Sequence, residues 1–209
     1  MSSVNSPGSI LALLLLLPLS CSRGGERQNV VFISIDTLRW DRLGCTGHDA
    51  AMTPRIDRLA AAGTLYPTGV APAPLTLPSH CTMFTGKLPI EHGVRDNAPF
   101  RLPDAHDTLT TTFAERGYAT GAVIGAAPLA RGCGLERGFE TYDDAFPAQS
   151  TGTVLLAERT ADEVTDAAVS RLAARDDRPC FLFVHYFDPH APYAPPEPIA
   201  SAPRKTASR

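Results

Sequence analysis

The chain has 209 residues, of which 44% are hydrophobic, and its formal net charge is −3 at pH 7. This length and composition are sufficient to bury the core of one domain or slightly more. Lysine and arginine together number 19 against 22 acidic residues, and no basic stripe or long run of like charge is present. These features argue against nucleic acid as a partner.

The first 21 residues are typical of an export signal. The apolar run ILALLLLLPLS, at residues 10–20, is too short to span a bilayer comfortably. The sequence Leu19-Ser20-Cys21 resembles a bacterial lipoprotein cleavage site, in which Cys21 carries the lipid. No Lys or Arg precedes the run, and Pro18 stands where such sites prefer an aliphatic residue. An uncleaved membrane anchor or a misplaced start is therefore the alternative to an exported bacterial protein that is periplasmic or lipid-anchored.

Four further cysteines follow the export segment: Cys45, Cys81, Cys133 and Cys180. In an exported protein they would meet an oxidising compartment, and four cysteines allow three pairings among which the sequence does not choose. None has the spacing of a metal ligand. Cys180 lies in an apolar segment, which favours a buried free thiol.

The first strand is predicted at NVVFISID, residues 29–36, because a nearly continuous apolar run is typical of a strand buried on both faces of a parallel sheet. A helix is predicted at TPRIDRLAAAG, with Thr53 as its cap, Pro54 in its first turn and Gly63 as its stop. The residues expected on its buried face are Ile56, Leu59 and Ala60.

The segment APAPLTLPSHCTMFTG, residues 71–86, predicts a turn followed by a helix. Pro78 suits the first helical turn and Gly86 the stop. Thr76 then lies at the helix N-terminus, where free N–H groups and the helix dipole favour an anion. Its hydroxyl suits an ordinary cap, or a nucleophile deprotonated by a neighbouring metal ion. On spacing alone, the cap is the simpler interpretation.

The remaining elements alternate between helix and strand. A helix is predicted at residues 107–117, with Asp107 as its cap and Leu109 and Phe113 pointing inward, and a strand at residues 118–125. A long helix is predicted at residues 154–174 and an apolar strand at residues 179–187. The residues expected on the buried face of this helix are Leu156, Val164, Ala168 and Leu172. This alternation predicts an α/β fold with a mainly parallel sheet and helices on both faces.

Two predicted strand ends carry residues suited to chemistry, because ligands of such sheets bind beyond the carboxyl ends of the strands. Asp36 ends the first strand, and a carboxylate there is costly unless it is paired, solvated or bound to a metal, or caps the next turn. His190 follows the last strand in the loop DPHAPY. His185, inside that strand, is expected to be a core histidine with satisfied hydrogen bonds or one that lies behind the site.

Five motifs occur together in one order. They are NVVFISIDTLRWDRLGCTG, TPRIDRLAAAG, APLTLPSHCTMFTGKLPIEHGVRDN, GLERGFETYDD and FLFVHYFDPHAPYAPP. In order and spacing they resemble the sulfatase-like branch of the alkaline phosphatase superfamily, from residue 28 to residue 199. The resemblance implies an alkaline-phosphatase-like three-layer sandwich. Residues 28–200 would form an incomplete N-terminal catalytic domain, followed by an atypical tail at residues 201–209.

The resemblance also implies roles for individual residues. Asp36 would ligate a metal, and Thr76 would be the nucleophile and touch that metal. His80 takes the place of an arginine that steadies the nucleophile, and His190 that of a histidine that contacts the charged oxygens or the leaving group of the ester. The implied substrate is a sulfate or phosphate ester. The implied cofactor is one or two divalent ions: calcium in a sulfatase-like site, zinc or manganese in a phosphoesterase-like site.

The sequence departs from the family pattern at several points. Usual sulfatases convert Cys or Ser to formylglycine, which threonine cannot form, so Thr76 favours the phosphodiesterases and phospho-group transferases of the superfamily. Thr37 replaces the second aspartate of the metal pair, and GAAPLARG, residues 125–132, lacks the lysine of the family's GKWH segment. The family's later Asp-His or Asp-Asn segment is also missing. We therefore expect a C-terminally truncated chain that is inactive without its missing half, or a pseudoenzyme that binds anionic ligands.

Overall fold

A computed structural model describes residues 27–147, 157–195 and 197, so the expected export segment with Cys21, and the tail at 201–209, lie outside the described residues. Its sheet has four parallel strands, β1 (Val30–Ile35), β2 (Ala119–Ile124), β3 (Thr141–Asp143) and β4 (Cys180–Tyr186). Their order in the sheet is β1-β4-β2-β3. Within the described residues, the last strand in sequence therefore lies between the first two, and the predicted parallel α/β sheet is confirmed.

In the part of the chain that the structure describes, five α-helices accompany the sheet: α1 (Pro54–Ala62), α2 (Thr76–Thr85), α3 (Pro89–His92), α4 (Leu109–Glu115) and α5 (Ala161–Ala173). Short 3-10 turns occur at Trp40–Arg42, Gly44–Thr46 and Ala127–Leu129. Across the described part of the chain, none of these helices has the length and apolar character needed to cross a membrane.

Helix α2 covers one face of the sheet. Leu77, Cys81 and Phe84 on this helix join Phe181 and Phe183 of β4 in the main core. The rings of Phe84 and Phe183 meet edge to face, with their centroids 4.9 Å apart. Such aromatic pairs stabilise a core beyond the area that they bury, so they fix α2 firmly on the sheet.

Helix α5 covers the opposite face, which gives the predicted three-layer arrangement. Val164 and Ala168 pack against Leu182 and Val184 of β4 in a second cluster. Leu172, also expected on the buried face of this helix, is only partly buried but packs against the same cluster.

Strand β1 is not buried on both faces, and the prediction that it is was wrong. Val31 and Ile33 are 45% and 51% exposed. They pair in register with Leu182 and Val184, so they lie on the face that α5 covers. That helix packs on β2 and β4 and, within the described residues, leaves this side of β1 open.

The bounds of α1 agree with the prediction, but its packing does not. Leu59, expected on a buried face, is 71% exposed. The helix contacts the turn at Gly44–Thr46, where the Thr53 hydroxyl accepts a bond from Gly44 N at 3.0 Å. Thr53 therefore ties that turn to the helix, and its side chain does not cap the helix itself.

Two helix starts differ from the predictions because threonines, not the expected residues, cap them. Thr108 accepts a hydrogen bond from Thr111 N at 3.2 Å and begins α4, in place of Asp107. Thr160 and Glu163 form a capping box at the start of α5, so the predicted start at residue 154 was wrong.

The inward residues expected on α4 and α5 have mixed outcomes. On α4, Phe113 stacks on Phe181, but Leu109 is 36% exposed. On α5, the expected position Leu156 lies outside the described residues.

The four described cysteines are free thiols, so no pairing forms among Cys45, Cys81, Cys133 and Cys180. Burial raises the pKa of Cys81 to about 12 and that of Cys133 to about 11. Both therefore stay protonated and unreactive in the fold.

Candidate active site

The carboxyl ends of β1 and β4 meet at one edge of the sheet. Ser34 pairs with His185 and Ile35 with Tyr186, and Asp36 N extends the ladder by donating to Tyr186 O at 2.9 Å. Asp36 is thus fixed at the edge where parallel sheets bind ligands. Its side chain is only 12% exposed.

Thr76 and Asp36 form the central contact of the site. Thr76 is the first residue of α2, and its Oγ1 donates to Asp36 Oδ2 at 2.9 Å. The N-cap position belongs to Leu75, which makes no side-chain cap. The Thr76 hydroxyl is therefore directed at a carboxylate and not at the helix backbone, so the cap interpretation of this residue was wrong.

The Asp36 carboxyl keeps its charge despite being largely enclosed. Burial by itself raises its pKa, but the neighbouring side chains of His185, Thr76 and His80 together lower it by more. The net result is a pKa below the ordinary value of 3.8. At neutral pH the Asp36 carboxylate is ionised, and it accepts a hydrogen bond from the Thr76 hydroxyl.

The N-terminus of α2 offers fewer free N–H groups than the sequence suggests. Leu77 N donates to Asn97 Oδ1 at 2.9 Å, and Ser79 N donates to Leu75 O at 3.1 Å. Pro78 has no N–H group. Among the described residues this leaves the N–H of Thr76, so an anion here would meet one backbone donor and the helix dipole.

His80 supports the backbone of Thr76 and not its hydroxyl. Its Nδ1 lies 2.7 Å from Thr76 O and its Nε2 lies 3.0 Å from Ser34 Oγ. A carbonyl oxygen only accepts, so Nδ1 carries the proton and Nε2 accepts from the serine. Burial is the main cause that lowers the pKa of His80 to about 4. His80 is therefore neutral at pH 7 and does not supply the positive charge of an arginine.

His190 lies in the loop that follows β4. Its ring stacks on Phe187 with centroids 4.2 Å apart, and its Nδ1 donates to Ala191 O at 2.7 Å. Within the described residues, no hydrogen bond joins His190 to Asp36 or Thr76. The structure thus brings Asp36, Thr76 and His80 together and holds His190 separately in the loop, with Nε2 available.

Two further polar residues, Asn97 and His185, lie at this edge of the sheet. Asn97 caps α2 from a distant loop, and the motif HGVRDN was the one signal that included it. His185 was expected to be satisfied or to lie behind the site. It is fully buried, neither ring nitrogen has a hydrogen bond among the described residues, and Nε2 lies 3.6 Å from Asp36 Oδ2.

The donors at this edge suit a hard divalent cation in kind but not in number. Asp36 offers a carboxylate and Thr76 a hydroxyl, both oxygen ligands of the type such ions prefer. Across residues 27–147 and 157–195, no three His, Cys, Asp or Glu side chains are grouped so as to hold a metal. Calcium takes about six to eight oxygens, so the described residues alone do not complete a site.

Comparisons with known proteins agree on one family. The family model described as Sulfatase matches residues 28–208. Arylsulfatase A from Homo sapiens is 35% identical over 113 residues, 51% of this chain and 22% of that protein. N-acetylgalactosamine-6-sulfatase from Mus musculus is 30% identical over 128 residues, 61% of this chain and 22% of that protein. The chain therefore spans about a fifth of the length of these relatives.

Solved structures show the same fold. A protein in complex with its substrate, D-glucosamine-2-N,6-O-disulfate, matches 81% of this chain and 36% of its own, with a TM-score of 0.69 and 24% identity. A phosphonate monoester hydrolase of Agrobacterium radiobacter matches 82% of this chain and 43% of its own, with a TM-score of 0.64 and 24% identity. At these identities the likeness concerns the fold alone. It confirms the alkaline-phosphatase-like arrangement over part of those chains.

Proposed function

This chain belongs to the sulfatase family, and on that premise we propose that it carries the nucleophile of a metal-dependent hydrolase of sulfate or phosphate esters. The observation that carries the proposal is the 2.9 Å hydrogen bond from Thr76 Oγ1 to Asp36 Oδ2 at the carboxyl edge of the sheet. It places a hydroxyl and an ionised carboxylate together where this fold binds ligands. The curated relatives described above are sulfatases, which supports the sulfate alternative. Threonine in place of a formylglycine precursor supports the phosphate alternative.

Thr76 is the proposed nucleophile. Its oxygen forms a bond to the sulfur or phosphorus atom and releases its proton to solvent water, while the bond from that atom to the oxygen of the leaving alcohol breaks. His190 contacts the charged oxygens and gives a proton to the leaving oxygen. A water oxygen then bonds to the sulfur or phosphorus atom, and the bond from that atom to Thr76 Oγ1 breaks. The water gives one proton to Oγ1 and one to His190. The product released is sulfate from a sulfate ester, phosphate from a phosphate monoester, or a phosphate monoester from a diester.

Asp36 orients Thr76 but is too weak a base to activate it. The pKa of Asp36 lies below its ordinary value of 3.8, while the pKa of an alcohol hydroxyl lies far above neutrality, so a wide gap in pKa separates the proton donor from this acceptor. His80 is neutral and fully engaged, so it does not close this gap. A divalent cation lowers the pKa of an oxygen that it binds, which is the chemistry the family's metal supplies.

We infer that Asp36 and Thr76 contribute to such a metal site and that its other ligands come from polypeptide outside the described residues. The ion would be calcium in a sulfatase-like site, or zinc or manganese in a phosphoesterase-like site. The support for this inference is the shortage of ligands: one carboxylate and one hydroxyl stand against about six oxygens. Export to the periplasm, with a lipid on Cys21, also remains a proposal.

A second candidate is a catalytically dead fragment or pseudoenzyme that at most binds anionic ligands. The same ligand shortage favours it, together with the neutral His80 at the position of an arginine. The two candidates differ in whether Thr76 turns over an ester. They share the fold and the Asp36–Thr76 contact.

The test is hydrolysis of aryl sulfate and bis-aryl phosphate by the purified chain, with calcium, zinc or manganese added. The controls are Thr76→Ala, which removes the hydroxyl, and Thr76→Ser, which keeps it. Metal-dependent turnover that Thr76→Ala abolishes and Thr76→Ser retains supports the hydrolase and shows that the chain suffices. A folded chain without turnover on either ester, under all three metals, favours the second candidate.

A further inference from the structure

His185 is a buried histidine for which neither the fold nor the proposed chemistry accounts. It lies one residue before the end of β4, next to Ser34 of β1, and is 0% exposed. Neither ring nitrogen has a hydrogen-bond partner among the described residues. Buried polar groups are nearly always satisfied, so an unsatisfied imidazole in the middle of a sheet calls for a specific reason.

One carboxylate oxygen, from Asp36, lies close to the ring of His185. Nε2 lies 3.6 Å from Asp36 Oδ2, just beyond hydrogen-bond length. The His80 ring meets the His185 ring edge to face at 5.0 Å, but both His80 nitrogens are already engaged with Thr76 O and Ser34 Oγ. His80 therefore closes one side of His185 without bonding to it.

His80, His185 and Asp36 lie next to one another in that order: His80 contacts His185, and His185 faces Asp36. Ser34 and His185 lie side by side on the face that α2 covers, and His80 reaches down from α2 onto both. Asp36 Oδ2 receives the Thr76 hydroxyl at 2.9 Å on one side and faces His185 Nε2 on the other. Catalytic hydrogen bonds are often long in unliganded proteins and tighten in the working complex.

We propose that His185 is a positioning residue that donates from Nε2 to Asp36 Oδ2 and thereby keeps this carboxylate aimed at Thr76. Its action is indirect, because it touches Asp36 and not the ester. With Asp36 Oδ2 held by two hydrogen-bond donors, the other carboxylate oxygen, Oδ1, stays available to bind the divalent cation of the proposed function. This inference rests on the proposed function for its catalytic meaning, but the donation itself is a property of the folded chain.

The geometry makes a prediction that does not depend on activity: the two neighbouring histidines have opposite proton positions. His80 carries its proton on Nδ1, because Thr76 O only accepts. His185 carries a proton on Nε2, because a carboxylate oxygen faces it. Long-range proton–nitrogen NMR spectra of the full chain with ¹⁵N-labelled histidine distinguish these states. The variants His80→Gln and His185→Gln assign the signals.

The kinetic test compares two substitutions of His185 in the full chain, with aryl sulfate and bis-aryl phosphate as substrates. His185→Leu removes the donor, and we expect kcat to fall about 10–100-fold, the usual loss when a residue supporting a ligand is removed, with little change in KM. His185→Gln keeps an N–H donor and should recover part of that loss. Thermal melts of both variants separate a positioning effect from unfolding.

Each outcome decides one question. Protonation of His185 on Nδ1 alone overturns the proposal, whatever the activity, and so does full kcat in a folded His185→Leu variant. Equal losses of kcat in both variants also contradict it, because a donor should be partly replaceable. If the unmodified chain has no turnover, the proposed function fails for this chain, and the NMR result still decides whether His185 holds Asp36.

Discussion

Acidification is expected to weaken the folded chain through His80. Burial is the main cause that lowers its pKa from 6.5 to about 4, since the imidazole is enclosed between α2 and the sheet. Between these two values the unfolded chain binds a proton at His80 that the folded chain does not. The free energy of unfolding is therefore unaffected by His80 above pH 6.5 and decreases as the pH falls toward 4.

The size of the effect follows from the shift. A difference of about 2.5 pH units at about 1.36 kcal/mol each gives a loss of about 3 kcal/mol. This is a large part of the stability of about 5–15 kcal/mol that is usual for a domain. Burial alone raises the pKa of Asp36, but the neighbouring side chains of His185 and Thr76 bring it below 3.8, so Asp36 contributes a separate loss of stability below pH 3.8.

The measurement is guanidinium unfolding between about pH 7.5 and about pH 4.5, with a chelator present, for the natural chain and for His80→Gln. Glutamine can donate to Thr76 O and accept from Ser34 but does not titrate. Burial also lowers the pKa of His92, but this histidine is present in both proteins, so its effect cancels in the comparison. We expect the natural chain to lose about 2–3 kcal/mol more than the variant over this range. Equal losses in the two proteins would refute the reasoning.

Four further predictions concern the stability, self-association and thiol reactivity of the folded chain. Asn97→Ala removes the cap on α2 and should lower the free energy of unfolding by about 1 kcal/mol, measured by denaturant unfolding against Asn97→Asp. Thr37 is a β-branched residue with φ 53°, so Thr37→Gly relieves backbone strain and should raise the free energy of unfolding by about 1 kcal/mol. A decrease in the melting temperature contradicts this. Ile33→Thr on the open face of β1 should change stability by less than about 0.5 kcal/mol while reducing self-association in light scattering. In the folded chain, iodoacetamide should label Cys45 before Cys81, whose pKa burial raises to about 12; equal rates would show that the core around Cys81 is open.

The strands and helices that are defined by local residue patterns were predicted from the sequence. Strands β1, β2 and β4 appear as short apolar runs, and α1 and α2 are marked by proline near the start and glycine at the end. Asp36 and Thr76 were predicted to share one site, because the end of the first strand and the start of the helix at residues 76–85 both match motifs of the family. The structure places them in direct contact.

Features that depend on tertiary packing could not be predicted from the same patterns. An apolar run shows that a strand is suited to burial, but the open face of β1 depends on where α5 lies. The role of His80 depends on Ser34, 46 positions earlier in the chain, which takes its second nitrogen. The isolation of His185 and the remote cap from Asn97 likewise arise from segments that meet only after folding.

The strand order β1-β4-β2-β3 has a consequence for how the protein is made. The ribosome releases β1 and β2 long before β4, yet the two earlier strands are not neighbours, and each pairs with β4. About 150 residues separate the partners Val30 and Phe181, so the sheet forms through contacts that are distant in sequence. A nascent chain that ends before residue 180 lacks its central strand and exposes apolar edges, a state that invites chaperones or aggregation. Insertion of β4 joins β1 to β2, brings the carboxyl ends of the strands together and so creates the candidate site.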